Sequence, residues 1–408
     1  MFDKNVATTL GVVAALIGAS MAMAAPETPA AAIEAGAAKS AVAGVPLGPG
    51  MLYPSVGLEY RHDDNIFLQP SDGKSSGMTV LTPTLDLRAL EGGRRYGLLY
   101  RAEIGRFSAS SADDYEDQRL AAEADLGIAE KGRLRLQAEY LDEHDPRGTA
   151  GTQGVPLAVA EPDLWHSTRL GATFGYGAPG AQGRIEAAVT TRTKRYDNHR
   201  TLTEPRDLDD TETGVVFFYR LAPLTSALFQ VTNTGIDYQT AALDSTERRY
   251  LVGLTWQATA KTSGTVKVGR QQKDFDDAAR TDFSAASWTA AVTWSPRTYS
   301  FLELATNRKA DETNGVGDLN DRRDLSLAWT HNWTSFARTR LGAQIVEDKY
   351  RGATARDDKT TEYGLNVAYQ MRRWLNLSLG YTTAERDSDD NAFDYRRNIY
   401  MFTAGASL

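Results

Sequence analysis

From about Tyr53 to Leu408 the chain repeats one pattern: short stretches in which apolar and polar residues alternate, separated by turns that are tight and long by turns. In one stretch Tyr96, Leu98, Tyr100, Ala102 and Ile104 share a face, and Arg95, Gly97, Leu99, Arg101 and Glu103 share the other. Successive side chains on a strand point to opposite sides, so this is a strand with one face in an apolar medium and one in water. Neither a soluble helix nor a strand buried on both faces places residues this way.

Counting the turns gives the strand number. Tight turns are expected at Leu90–Gly93, Glu130–Gly132, Ala178–Ala181, Ala222–Leu224, Ala260–Ser263, Ser295–Arg297, Thr334–Phe336 and Arg372–Trp374. Longer polar connections centre near Gln69, Ser111, Gly151, Arg200, Leu243, Ala278, Asn314, Ala353 and Asp389. Eight tight and nine long connections join about eighteen strands, with both ends of the chain on the tight-turn side. The fold class expected is all-β, a transmembrane antiparallel up-and-down β-barrel over residues 51–408. In bacterial outer-membrane barrels the short turns and both termini face the periplasm, which sets the expected orientation here.

Composition agrees with a barrel and excludes a helical membrane protein. Hydrophobic residues make up 41% of the 408, the mean hydropathy is −0.42, and beyond the N-terminus no apolar run reaches the roughly 20 residues a spanning helix needs. The net charge of −8 is spread through the chain without a basic patch, which argues against nucleic acid as a partner. There is no cysteine, as suits an envelope protein. Residues 1–24 read as a secretory signal peptide, with Lys4 ahead of an apolar stretch and the small-x-small site Ala22-Met23-Ala24; an uncleaved anchor is the alternative. Residues 25–50, rich in Ala, Gly and Pro, read as a flexible periplasmic leader.

The two faces of the strands are expected to do different work. Trp256, Trp294, Trp333 and Trp374 all fall close to tight turns, where a periplasmic aromatic girdle belongs. Candidate pore-lining residues on the polar face are Arg61, Arg101, Glu103, Arg119, Glu123, Arg135, Glu139, Arg169, Glu186, Arg192, Lys267, Glu303, Arg340 and Glu362. A charge on the lipid face at midplane costs about 2–4 kcal/mol for Arg or Lys, so these need water or partner charges inside. A barrel of about 16 to 18 strands leaves a water-filled lumen. The mixed signs predict ion-pair ladders without a single-sign filter.

No catalytic constellation is found, and no cofactor is expected. The five histidines form no ligand set, and His166 and Ser167, as strand neighbours, point to opposite faces and cannot make a dyad. Acidic clusters such as 113–117 and 207–210 read as solvated loop charge, or as sites for divalent cations bridging lipopolysaccharide phosphates. The longest connection, about His144 to Asp163, holds three prolines and three glycines and is a candidate lid or constriction folded into the pore, or else a disordered outer loop.

Two stretches carry resemblances. The last strand, with Tyr400, Phe402, Ala404, Ala406 and Leu408 on one face, resembles the signal read by the barrel-assembly machinery, although Leu408 stands where phenylalanine is commoner. The first strand leads into Asp63, Asp64, Asn65, Ile66 and Phe67, and this motif resembles the second family of outer-membrane beta-barrel porins, many of them encoded in exopolysaccharide biosynthesis operons. The resemblance implies a non-enzymatic, hydrated conduit for export of a cell-surface exopolysaccharide. It also implies a periplasmic polysaccharide-export protein as a partner, while the barrel and its acidic loops themselves imply outer-membrane lipid and lipopolysaccharide. Two other readings stand beside it, a general or substrate-selective uptake porin and a structural or adhesion barrel with a closed lumen. From the residues alone, Asp63, Asp64 and Asn65 either tie down the outer loop or contact sugar hydroxyls.

Overall fold

A computed structural model describes residues 44–408 apart from 129, 179, 241–242, 260 and 314. The signal-peptide segment and most of the leader lie outside the described residues. The strands are β1 (Val45–Leu47), β2 (Gly50–Asp63), β3 (Ser76–Glu91), β4 (Arg94–Phe107), β5 (Tyr115–Ile128), β6 (Gly132–Asp145), β7 (Asp163–Tyr176), β8 (Gly183–Tyr196), β9 (Leu208–Ala222) and β10 (Thr225–Tyr238). They continue with β11 (Ser245–Thr259), β12 (Thr262–Phe275), β13 (Phe283–Arg297), β14 (Ser300–Asp311), β15 (Leu319–Asn332), β16 (Ala337–Arg351), β17 (Arg356–Arg372), β18 (Leu375–Ser388) and β19 (Tyr395–Ser407).

Each strand from β2 to β19 pairs antiparallel with its neighbour in sequence, and β19 pairs with β2, which closes an eighteen-stranded barrel. The expected strand number and class hold. Closure leaves no open edge and satisfies the backbone polar groups strand to strand, the condition for crossing a membrane with strands. No helix among the described residues is long and apolar enough to cross.

The differences from the expected outline are local. The 178–181 turn is a longer connection, 177–182, and the 295–297 turn moves to Thr298–Tyr299 because β13 carries on to Arg297. The tiny strand β1 falls inside the stretch read as leader. It pairs with Gly50–Leu52 of β2, just beyond the point where β19 runs out at Ser407 opposite Ser55. Register shifts between β9 and β10, β11 and β12, β13 and β14, and β17 and β18 all lie at the tight-turn end, where bulges commonly terminate pairing at barrel rims.

Alternation sorts the wall into two faces. Outward positions carry exposed Leu170, Phe174, Val215, Phe217, Tyr250, Val252, Leu254, Leu325, Leu327, Leu365 and Val367. Inward positions on these and neighbouring strands carry buried Arg192, Asp210, Thr232, Glu247, Lys267, Gln271 and Asn366. The apolar surface is therefore on the outside and the polar interior within, the reverse of a soluble sandwich.

Candidate functional site: the lumen and its long-loop mouth

All fourteen candidate pore-lining residues stand at inward positions of the register, as cross-strand partners share a face: Glu103 with Asp117, Arg135 with Asp125, Arg192 with Asp210, Arg340 with Asn366. Many are ladder partners. Arg61 binds Glu59, Arg101 reaches Glu103 at 3.2 Å, Arg119 reaches Glu139 at 2.6 Å, and Arg340 reaches Glu303 at 2.5 Å. Asp125 collects Arg95, Arg133 and Arg135. Glu186 pairs with Arg184 at 3.5 Å and Lys267 donates to Gln230 at 3.0 Å. Glu362 is buried, and its Oε1 has no hydrogen-bond partner among the described residues.

The four tryptophans lie at the tight-turn end. Trp294, Trp333 and Trp374 are exposed and Trp256 is half-buried opposite Thr225 and Gly264. Their neighbours show how an indole fits such a surface: Trp333 Nε1 donates to Thr339 Oγ1 at 2.9 Å while the ring stays outside. A second belt went unread in the sequence. Tyr60, Tyr140, Tyr250, Tyr363 and Tyr400 are exposed toward the long-loop end of their strands, and Tyr100 is exposed at the middle of β4. On β11, Tyr250 and Trp256 are six residues apart, roughly 20 Å along a strand at about 3.4 Å per residue. That approaches the apolar band of about 25 Å between aromatic girdles. Even spacing of tyrosines near one end of the strands was the signal available.

The motif after the first strand forms the clasp of the barrel seam. Asp63 Oδ2 accepts from Arg397 Nε at 2.8 Å and Nη2 at 2.5 Å. Asp64 accepts from Asn398 through backbone N–H (2.6 Å) and side-chain amide (2.7 Å). Asn65 Nδ2 donates to the carbonyls of Gln69 and Arg396 at 2.8 and 2.9 Å, and its Oδ1 accepts from Gln69 N. Ile66 N donates to the Lys74 carbonyl. The β2–β19 pairing counts only nine residue pairs against fourteen between β2 and β3, so these side chains hold the rim of the shortest full-strand joint in that stretch of wall. Phe67, 3% exposed, leaves the clasp to sit beneath the guanidinium of Arg147 at 4.5 Å.

Arg147 is the second residue of the connection 146–162, which folds inward across the mouth. Its guanidinium grips buried Asp113 in two bonds, 2.7 and 2.6 Å, from the loop after β4. At Gly148, φ is +87° and a Cβ would run into the Phe67 carbonyl oxygen, so both backbone conformation and close approach demand glycine. Gly151 packs on the Arg206 guanidinium. Gln153 Oε1 then accepts from Arg356 Nη2 at 2.7 Å, and Gly154 meets the Phe393 ring. Arg356 opens β17, seven strands from β6 by the shorter way round through β5, β4, β3, β2, β19, β18 and β17. The loop is thus a strap tied to both sides of the mouth, with its own Thr152 buried.

Two further connections fill the mouth. In 197–207, buried Arg206 bonds Asp163 at 2.5 Å and stacks over Tyr196 at 4.2 Å, while His199 shares Asp163 at 2.9 Å. In 312–318, Glu312 accepts from Tyr238 Oη at 2.6 Å and from Lys273, which is wholly buried. The aspartates read as solvated loop charge are thereby engaged: Asp113 by Arg147, Asp207 by Tyr196 N and Arg200, Asp210 by Arg192. Arg147, Arg206 and Arg356 were not singled out in the sequence. An arginine inside a Pro/Gly-rich loop, as at Pro146-Arg147-Gly148 and Pro205-Arg206, was the only hint.

Below the strap a cavity of about 560 Å³ runs inside the wall. Charged residues of β2, β4, β5 and β6 line one side, among them Glu59, Arg61, Glu103 and Arg119. Amides and hydroxyls of β15 to β19, among them Asn332, Asn366, Asn376 and Ser378, line the other.

A closed barrel with an apolar exterior and a charged, cavity-bearing interior matches the family described as "Putative beta-barrel porin 2" over residues 40–406. The chain belongs to that family. This beta-barrel porin is an outer-membrane protein, similar in fold to the Pseudomonas aeruginosa OpdL structure at a TM-score of 0.51 and 13% identity, with 89% of this chain and 99% of that one covered. It is similar to the same degree to P. aeruginosa OccK2 (OpdF): TM-score 0.51, 11% identity, 89% and 99% covered. At these identities the likeness concerns the fold. No curated protein sequence matches the porin.

Proposed function

We propose that this porin is a passive, non-enzymatic channel for small polar solutes, narrowed at its long-loop mouth by the 146–162 strap. The observation that carries this reading is the tie from Gln153 to Arg356, which draws the strap across toward the opposite wall. A selective uptake porin needs such a restriction; an open conduit for a polymer does not. Beneath the strap, ion-pair ladders and amides offer a solute replacement hydrogen bonds for those it leaves in water. In this reading the tight turns and both ends of the chain face the periplasm and the strap faces outward. The outward ion pairs Arg106–Glu116, Arg195–Asp209, Lys349–Asp357 and Arg396–Glu385 at the long-loop end would then sit among lipopolysaccharide phosphates.

A second reading is the exopolysaccharide conduit implied by the family resemblance. The amide wall supports it, because Asn366, Asn376 and Gln370 suit a chain of sugar hydroxyls. It requires the strap to leave the mouth, and it brings in a periplasmic export partner. The test is entry of sugars of graded size into liposomes holding the purified porin. Entry of mono- and disaccharides with exclusion of a pentasaccharide is expected. Equal entry of long oligosaccharides, together with loss of surface polysaccharide on deletion of the gene, would favour the conduit.

A further inference from the structure

Four arginines line the lumen cavity, and one of them differs from the rest. Arg61 is held by Glu59, Arg101 by Glu103 and Arg119 by Glu139. Arg338 has neither carboxylate nor hydrogen-bond partner among the described residues. The register explains why. Its cross-strand partners are Asn332 on β15 and Ala368 on β17, both uncharged. The next inward residue along β16 is Arg340, which already takes Glu303 at 2.5 Å and Thr330 at 2.9 Å. One strand further, β18 offers Asn376 and Ser378. An arginine stays protonated at any working pH, so this is a permanent positive charge facing confined water across a neutral wall.

We propose that Arg338 is an anion-capture point at the tight-turn end of the lumen, giving the pore a preference for solutes that carry a carboxylate or similar oxyanion. The guanidinium fork matches two oxygens of such a group, and Asn332, Asn366 and Gln370 nearby serve the solute's hydroxyls. The carboxylates Asp117 and Glu143 line the other side of the cavity, on β5 and β6, so Arg338 sets the sign locally, at the tight-turn end, where its neighbours Asn332, Ala368, Asn376 and Ser378 are uncharged. The inference rests on the water-filled lumen of the reading above.

The absence of cysteine makes the test clean. Ala368→Cys places a single thiol on the cavity wall directly across from Arg338. In detergent-folded protein its rate of reaction with an anionic sulfonatoethyl methanethiosulfonate is compared with that of the cationic trimethylammonium analogue. The anion-to-cation ratio is expected to be about threefold or more higher with Arg338 present than with Arg338→Gln, a modest effect of one partly screened charge. Arg338→Lys should retain most of it. An unchanged ratio in the Arg338→Gln background overturns the proposal, as does a thiol that reacts with neither reagent until the barrel is unfolded. Labelling does not require passage, so a barrel that shows the charge effect yet conducts nothing would end the channel reading and leave the anion site standing.

Discussion

The two mouths of this barrel are built on opposite principles. At the tight-turn end, connections of two to six residues return the chain directly, bulges finish the pairing, and the prominent side chains are tryptophans facing outward. At the long-loop end the connections turn inward and are fixed by buried charge: Arg147 on Asp113, Arg206 on Asp163, Lys273 on Glu312. One mouth is shaped by lipid and the other by the lumen. In the proposed reading, selectivity by size belongs to the strapped mouth, and selectivity by sign to the unpaired arginine near the other.

Breaking the strapped mouth should have the largest effect. Arg147→Ala leaves Asp113 buried without its partner, a cost of about 3–5 kcal/mol. It should free the strap to thermolysin cleavage and raise the channel's conductance, while the heat-modified band shift of the barrel in detergent stays near wild type. Loss of the barrel's own stability instead would mean that the strap is part of the wall. At the seam, Asp63→Ala should lower the unfolding midpoint by the equivalent of about 3 kcal/mol, and Arg397→Ala should add little on top of it in a double-mutant cycle. Additive losses would show that the clasp is not one unit.

Away from both mouths, Leu254→Arg on the outward face should cost about 2–4 kcal/mol in a lipid bilayer, with no change in single-channel conductance. The smallest effect belongs to the tight-turn end. Trp333→Ala removes an outward ring and one hydrogen bond to Thr339, about 1 kcal/mol, and should leave thermolysin sensitivity of the strap unaltered. A strap loosened by Trp333→Ala would mean that the two mouths are coupled.

The wall was legible in the sequence because its cause is local. A strand between lipid and water must alternate, so the parity of Leu98 against Leu99, or Val252 against Gly253, already gives the face, and the turn count gives eighteen strands. The placement of the fourteen inward candidates follows from the same parity. The mouth was not legible in this way. Arg147 meets Asp113 from another connection, Gln153 meets Arg356 across the lumen, and the Asp-Asp-Asn motif meets Arg396–Asn398 at the other end of the chain. Only a closed ring brings these together. The isolation of Arg338 is likewise a property of its rung, since its sequence neighbour Arg340 looks the same and is fully paired.

The most direct measurement is single-channel recording in planar bilayers of the wild-type porin beside a variant in which residues 148–160 are replaced by a short Gly/Ser linker. A strap that narrows a water-filled lumen predicts a small, defined conductance in the wild type and a severalfold larger one in the variant. Equal conductance in the two, or none in either from barrels shown to be folded, would contradict it.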